Sequence, residues 1–432
     1  MEEIAAHGSI ARQLDRRRAA AAGAWELSDE VVLIGAGDPI GVPGRGDRTY
    51  PFHAHSEYFY LTDRNRPGGV LAFDPETGWF DFETPITADD RLWSGAHAGD
   101  QQGLSTAELG DWLQSRANRP TAWLGAPPPG DRSAPALVNR LRAGLSRVRR
   151  PKDAVELERM RVAERATRAG FAAAVPLLRD GVSEREVQVE LEAAAQRAGG
   201  DAMAYDTIVG GGTNSAVLHF PPSDRRFSTG ELVLIDAGAE CRQYASDITR
   251  TYPVGGELGA EQRELHSLVR AAELAAIERC TAGTEWRDVH RTAALVIAEG
   301  LAAHGILRGT PDSLVDGGAV SLFFPHGVGH LVGLGVRDAG GVLPERESDP
   351  PPYPNLRIDL PLEPGMVVTV EPGIYFVAAL LEDPQLRSRH RDEVAWDRVD
   401  RMLEFGGIRI EDNVLITDGG HEVLTENVPL LG

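Results

Sequence analysis

The chain has little cysteine: Cys241 and Cys280 are the only two in 432 residues. That rules out a disulfide framework, and two ordinary thiols are the expected state in a chain with no export signal. Also missing is any apolar run near the roughly 20 residues that a membrane helix requires. The N-terminus, rich in Glu, Arg and Ala, lacks the short apolar core and small-residue cleavage site of a secretory leader. These absences exclude a bilayer-spanning helix and point to the cytoplasm. Cationic charge is scarce as well, since 44 Lys and Arg face 65 Asp and Glu, a formal charge of −21. Nucleic acid and anionic membrane surfaces need clustered positive charge, so neither is expected as a partner.

What is present is ordinary globular composition, with 42% hydrophobic and 25% charged residues. The length exceeds that of a usual single core and predicts two domains. Residues 31–82 read as strands and turns, with VVLIGAG, EYFYLT, GGVLAF and GWFDF separated by glycine and proline. Helical patterns follow near 107–116 and 134–145, which makes the first part an α/β domain. A basic, proline-marked stretch at 147–152 precedes a sharp change of character, so the boundary falls there, giving domains 1–150 and 151–432. The Ala-, Glu- and Arg-rich stretch 153–198 predicts two helices broken at Asp180-Gly181. Strands follow at 207–209, 232–239 and 244–252, the last two as an antiparallel pair. Helices recur at 260–280 and 285–304, with strands at 367–370 and 408–416. This weak duplication predicts two similar halves whose strands meet in one curved sheet covered by helices, with a site between them. The proline-rich stretch 345–354 reads as an irregular loop.

Chemistry-bearing residues sit where strands end. In LIDAGAECRQYASDITRTYPV an apolar strand closes on Asp236, and its partner carries Asp247. Aspartate disfavours strand interiors, and two buried carboxylates in one sheet are costly unless cations or donors satisfy them. Either aspartate alone reads equally well as a strand-end residue in water. In PHGVGHLVG the glycines between His326 and His330 argue against a helical HExxH zinc site and for a loop that closely approaches something. The strand of MVVTVEPGIY runs into Glu371, and GGIRIEDNVLIT places Arg409 and Glu411 on one strand face. A structural ion pair would account for that last couple by itself. Taken together, four carboxylates carry −4 and two divalent cations +4, with neutral imidazole completing the shell. Oxygen-rich ligands with one histidine suit Mn²⁺ best, with Zn²⁺, Co²⁺ and Fe²⁺ as alternatives. Two such ions can share a hydroxide and polarise the carbonyl it attacks, which is metal-assisted hydrolysis.

These residues resemble the pita-bread metallopeptidases, and within them Xaa-Pro dipeptidase (prolidase) and aminopeptidase P. The resemblance covers almost the whole chain and implies an α/β (α+β) architecture: an N-terminal α/β domain, then a pita-bread domain with a curved, pseudo-twofold antiparallel sheet. It implies metal ligands Asp236, Asp247, His330, Glu371 and Glu411, with Glu371 also shuttling the proton. His219, in VLHF, resembles the histidine that contacts substrate and the tetrahedral intermediate, and His326 a second one in the pocket. Tyr205, Ile208 and Tyr375 fall where the family places pocket residues. Arg357 and Arg409 align with arginines that support recognition of the terminal carboxylate and the metal cluster. Trp93 falls where the leading domain reaches a neighbouring subunit's site, and a homodimer or homotetramer is implied.

The long insertion from YFVAALLEDPQLRSRHRDEV to FGGIRIEDN is more like dipeptidases, whereas YPFHAHSEYFYLT resembles the leading domain of aminopeptidase P. The expected activity is a dinuclear Xaa-Pro dipeptidase taking a proline-containing dipeptide or short peptide. Aminopeptidase P action on longer peptides is the alternative, and a non-catalytic binding module is disfavoured because all five ligands are present. One departure stands out: the family usually has histidine seven positions beyond the metal-binding His, where this chain has Arg337. A group able to exchange a proton has become a permanent cation, which is expected to alter binding of the substrate's carboxyl side.

Overall fold

The computed structural model describes residues 2–93, 95, 103–343, 346, 353 and 355–430. It falls into two units, Met1–Arg149 and Arg150–Gly432. In the first, the apolar run Val31–Gly35 is wholly buried and pairs with Thr121–Gly125 in parallel and with Val70–Asp74 antiparallel. Gly78–Glu83 and Leu104–Ser105 complete a mixed five-stranded sheet. The helices Glu2–Trp25 and Pro135–Arg149 pack together, and the Trp25 indole donates to the Leu141 carbonyl at 3.0 Å.

One expected strand of this unit is a helix. EYFYLT forms Ser56–Thr62, whose first turn is capped by His55 accepting from the Glu57 N–H. Aromatic β-propensity loses here because Tyr58, Phe59, Tyr60 and Leu61 are all buried, which a short helix enclosed by apolar neighbours permits and a half-exposed strand does not.

The second unit begins with the helices Ala154–Ala174 and Glu184–Arg197, each opened by a capping box, Asp153 with Glu156 and Ser183 with Glu186. Three antiparallel strands follow, with Leu232–Ala237 between Ile208–Gly211 and Ile248–Pro253. Helices Ala260–Glu278 and Trp286–Ala303 then precede a second antiparallel set, in which Asp412–Thr417 lies between Val367–Val370 and Gly420–Val423. The order helix, helix, strands therefore recurs, and a bridge from Thr249 to Glu411 stitches the two sets together. The larger core, containing Trp286, Phe323, Met366 and Ile410, fills the second half, and a smaller one around Phe171 and Ile235 fills the first.

Three expected strands are broken, each at or beside a candidate acid. The pair 232–239/244–252 splits into Leu232–Ala237 with Ile248–Pro253 and a small hairpin of Ala239–Cys241 with Tyr244–Ala245. At the split a Cβ on Gly238 would lie 1.8 Å from the Ser246 carbonyl oxygen, so the backbones meet where only glycine fits. The strand expected over 408–416 is interrupted at Ile410-Glu411 between Gly407–Arg409 and Asp412–Thr417. Apart from Arg346 and Tyr353, the expected loop 345–354 lies outside the described residues. Cys241 and Cys280 are free thiols, and no described helix is long and apolar enough to cross a membrane.

Candidate metal and substrate site

Asp247 and Glu411 are placed by main-chain bonds to the other half of the domain, and Glu371 by one to the histidine loop. Asp247 precedes the strand Ile248–Pro253; its N–H donates to the Asn413 side-chain oxygen at 3.0 Å, and its carbonyl accepts from the same amide at 2.7 Å. Glu411 donates its N–H to the Thr249 carbonyl at 3.0 Å. Glu371 follows Val367–Val370 and donates its N–H to Val328 in the histidine loop at 2.8 Å.

The loop itself presses on that strand. A Cβ on Gly329 would sit 2.0 Å from the Thr369 carbonyl oxygen. The His330 N–H donates to Thr369 Oγ1 at 3.0 Å, and the Thr369 N–H donates back to the His330 carbonyl at 2.8 Å. His330 Nδ1 lies 3.1 Å from the Leu331 carbonyl, which favours the proton on Nδ1. Nε2 then faces Asp247 Oδ2 at 3.4 Å and Glu371 Oε1 at 3.8 Å.

Arg409, only 2% exposed, organises the floor. Its guanidinium donates to Asp236 Oδ2 at 2.5 Å, Thr249 Oγ1 at 3.0 Å and the Tyr375 hydroxyl at 3.0 Å. Thr249 Oγ1 in turn donates to Glu411 Oε2 at 2.6 Å, and the Tyr205 hydroxyl donates to Asp236 Oδ1 at 2.7 Å. The Tyr375 oxygen also lies 2.8 Å from His326 Nε2.

Two cavities share His219, Asp236, His330, Arg337 and Glu371 in their walls. The larger, about 510 Å³, adds Tyr205, Ile208, Asp247 and Glu411; the smaller, about 240 Å³, adds His326, Arg357 and Arg409. Tyr375 stands behind them, fully buried. The structure thus gathers every site residue singled out in the sequence except Trp93, which ends the helix Ala88–Trp93 of the N-terminal unit and is 83% exposed.

Residues 158–418 match metallopeptidase family M24, and residues 14–112 match the aminopeptidase P N-terminal domain. The chain belongs to family M24. This M24 chain is 33% identical over 408 residues to a probable Xaa-Pro aminopeptidase of Emericella nidulans, covering 88% of this chain and 87% of that one. Its fold matches the aminopeptidase PepP of Pseudomonas aeruginosa at a TM-score of 0.80 and 30% identity, over 97% and 96% of the two chains. A zinc-substituted E. coli aminopeptidase P in complex with product matches at 0.79 and 27%, with the same coverage.

The donor set fits divalent cations. Ligand atoms of Asp247, His330 and Glu411 lie within 4.8 Å of one another, and all three residues are buried. Burial first, then the charges of Asp247, Glu371 and Asp236, push the Glu411 carboxyl well above its usual range. Burial likewise raises Glu371 to about 7, and Asp236 rises although Arg409 opposes it. Carboxylates so crowded call for positive charge that Arg409 alone does not provide, and hard oxygen donors with one imidazole suit Mn²⁺, Zn²⁺ and related ions. His326, by contrast, is pushed down to about 3 by burial and then by Arg409, so its imidazole is neutral.

Sequence reasoning passed over the supports. Thr249 and Thr369 each lie two residues from a site acid, Asp247 and Glu371, and strand periodicity would have put them on the same face. Asn413, two residues beyond Glu411, carried the same signal, whereas Glu184 carried none. Glu184 is fully buried and accepts from the Gly211 N–H, the Asn214 amide, and the Ser223 N–H and hydroxyl. It thereby organises the segment that bears His219.

Proposed function

We propose that the protein is a metal-dependent Xaa-Pro aminopeptidase, releasing the first residue of peptides that have proline second. The observation that carries this reading is the buried Asp247–His330–Glu411 cluster, with Asp236 and Glu371 in the same cavity wall, in an M24 chain whose leading segment matches the aminopeptidase P N-terminal domain. That leading domain and the relatives' names favour action on peptides over the strict dipeptidase expected from the sequence.

Two divalent cations, Mn²⁺ foremost, with Zn²⁺, Co²⁺ or Fe²⁺ as alternatives, would be held by Asp236, Asp247, His330, Glu371 and Glu411, and would supply Lewis acidity and an acidified water. Glu371, whose side chain remains 18% exposed beside His326 and His330, accepts the proton of the attacking water and returns it to the departing proline nitrogen. His219 donates to the oxyanion that forms at the scissile carbonyl. Arg409 holds Asp236 and, through Tyr375, orients His326. Arg357 and Arg337 present guanidinium groups to the carboxyl side of the substrate, and Tyr205 and Ile208 flank its other end. The exposed Trp93 is assigned to contact with a neighbouring copy in a homodimer or homotetramer.

Product analysis tests this reading, using purified protein with Mn²⁺ supplied or chelated, on an Xaa-Pro dipeptide and on a longer peptide with proline second. Metal-dependent release of the first residue from the longer peptide is expected. Cleavage of the dipeptide alone would restore the dipeptidase, and cleavage of neither with metal bound would overturn the catalytic assignment.

A further inference from the structure

A cavity of about 200 Å³, separate in its lining from the metal site, lies against the helix Ala154–Ala174. Arg161, Arg165 and Arg168 come from one face of that helix at spacings of four and three residues. Glu164 lies among them, and Glu422 and Thr425 contribute to the opposite wall. Arg161 pairs with Glu422 at 3.2 Å, and Arg165 with Glu158 at 3.3 Å across well-exposed side chains. Arg168 makes no ion pair among the described residues.

Glu164 is the unusual member. Its residue is 6% exposed, and its Oε1 is buried with no hydrogen-bond partner. Burial pushes its carboxyl up to about 8, reinforced by Glu422 and Asp412 and opposed by Arg161 and Arg165. At neutral pH it is therefore an acid that can donate a hydrogen bond. With Glu164 neutral, three guanidinium groups against the carboxylates of Glu422 and of Glu158, the partner of Arg165, leave a net charge of +1 around a cavity with room for a few non-hydrogen atoms.

We propose that this cavity is a second binding site, for a small dianion such as a phosphate group or a dicarboxylate, gripped by Arg161, Arg165 and Arg168 with the Glu164 carboxyl as hydrogen-bond donor. Planar forked donors suit such oxyanions, and a neutral carboxyl among them adds a donor without adding repulsion. The site does not depend on the peptidase reading.

Isothermal titration calorimetry of the metal-loaded full chain tests it, with sulfate standing in for a phosphate group and succinate for a dicarboxylate. At least one is expected to bind once per chain, with affinity reduced about tenfold or more in R165A/R168A, while peptidase activity is unchanged. The preferred anion identifies the ligand class. E164Q, whose amide still donates, should retain binding, and raising the pH past about 8 should weaken binding to the wild type but not to E164Q. Binding that is equal in the wild type and R165A/R168A would assign the anion to the metal centre and overturn the proposal. So would the absence of binding by either anion.

Discussion

Glu184→Gln separates the support of the substrate segment from the metal chemistry. Glu184 opens the helix Glu184–Arg197, where the helix N-terminus favours a carboxylate, and its two oxygens take four donors. Oε1 serves the Gly211 N–H at 3.0 Å and the Asn214 amide at 2.8 Å; Oε2 serves the Ser223 N–H at 3.0 Å and its hydroxyl at 2.5 Å. Glutamine keeps the volume but turns one oxygen into a donor. Its least harmful placement puts the NH₂ at Ser223, where the hydroxyl can rotate to accept and only the backbone N–H is orphaned. That orphan and the lost charge assistance together cost about 3 kcal/mol, since hydrogen bonds to charged groups contribute roughly 1.5–3 kcal/mol each. The strain falls on 211–223, between whose anchors His219 sits. Displacement of a substrate-contacting group by about 1 Å costs up to roughly 100-fold in rate, so kcat/KM should fall between about 10- and 100-fold. Metal content should not change, because the five ligands lie on other segments. Elemental analysis, steady-state kinetics and amide hydrogen exchange over 211–223 read the three effects separately. Unchanged kcat/KM together with unchanged exchange would refute the reasoning.

Asp247→Asn, which removes one charge from the tightest ligand cluster, should lower bound metal measured by elemental analysis and reduce activity by more than about 100-fold, a larger effect than losing an outer-shell partner. Lys152→Met leaves Asp338 buried without the ammonium group that lies 2.8 Å away; chemical denaturation should show a loss of about 3–5 kcal/mol, and KM should rise because Asp338 adjoins Arg337. Glu164→Gln should make stability less sensitive to alkali. The wild-type carboxyl keeps its proton in the folded state up to about 8 but loses it near 4.5 when unfolded. Wild-type stability from this group is thus full below about 4.5 and declines as pH rises through the window to about 8. The variant's advantage should grow by up to about 5 kcal/mol across it, and a constant difference in denaturation midpoints would count against the assignment. Arg337→His should change the kinetic constants for peptides that differ on the carboxyl side of proline; identical constants for every substrate would remove Arg337 from substrate contact.

Much of the architecture was legible because periodicity and punctuation agreed. The helix pairs, and the apolar strands that stop at acids, follow from local chemistry that no tertiary contact overrode. The losses have a common physical origin. EYFYLT has the composition of a strand, yet burial on all sides and a histidine cap make it a helix. The breaks at Gly238 and Ile410-Glu411 interrupt otherwise good strands because close backbone approach and cross-half pairing of Thr249 with Glu411 decide the local path. The site acids could be read from the cost of burying carboxylates in a sheet. Glu184 could not, since it works through partners far away in sequence and belongs to no short motif.

The insertion after Tyr375 shows how a signal in sequence can mislead about substrate. Its similarity to dipeptidases weighted the expected substrate toward dipeptides; a direct role in limiting peptide length would require it to border the site. In the structure it folds into three short helices, Ala378–Leu381, Pro384–Arg389 and Trp396–Val399. Leu381, Val394, Val399 and Met402 join the large core of the second half. Its main chain bonds toward 306–308, with the Ala395 N–H on the Ile306 carbonyl and the Arg308 N–H on the Glu393 carbonyl. No residue of 377–406 lines either cavity at the metal site. The inserted segment therefore adds core and not a substrate boundary. Its length says nothing about how long a peptide the cavity accepts, and removing the charge of exposed Arg391 should leave the preference between dipeptide and longer peptide where it was.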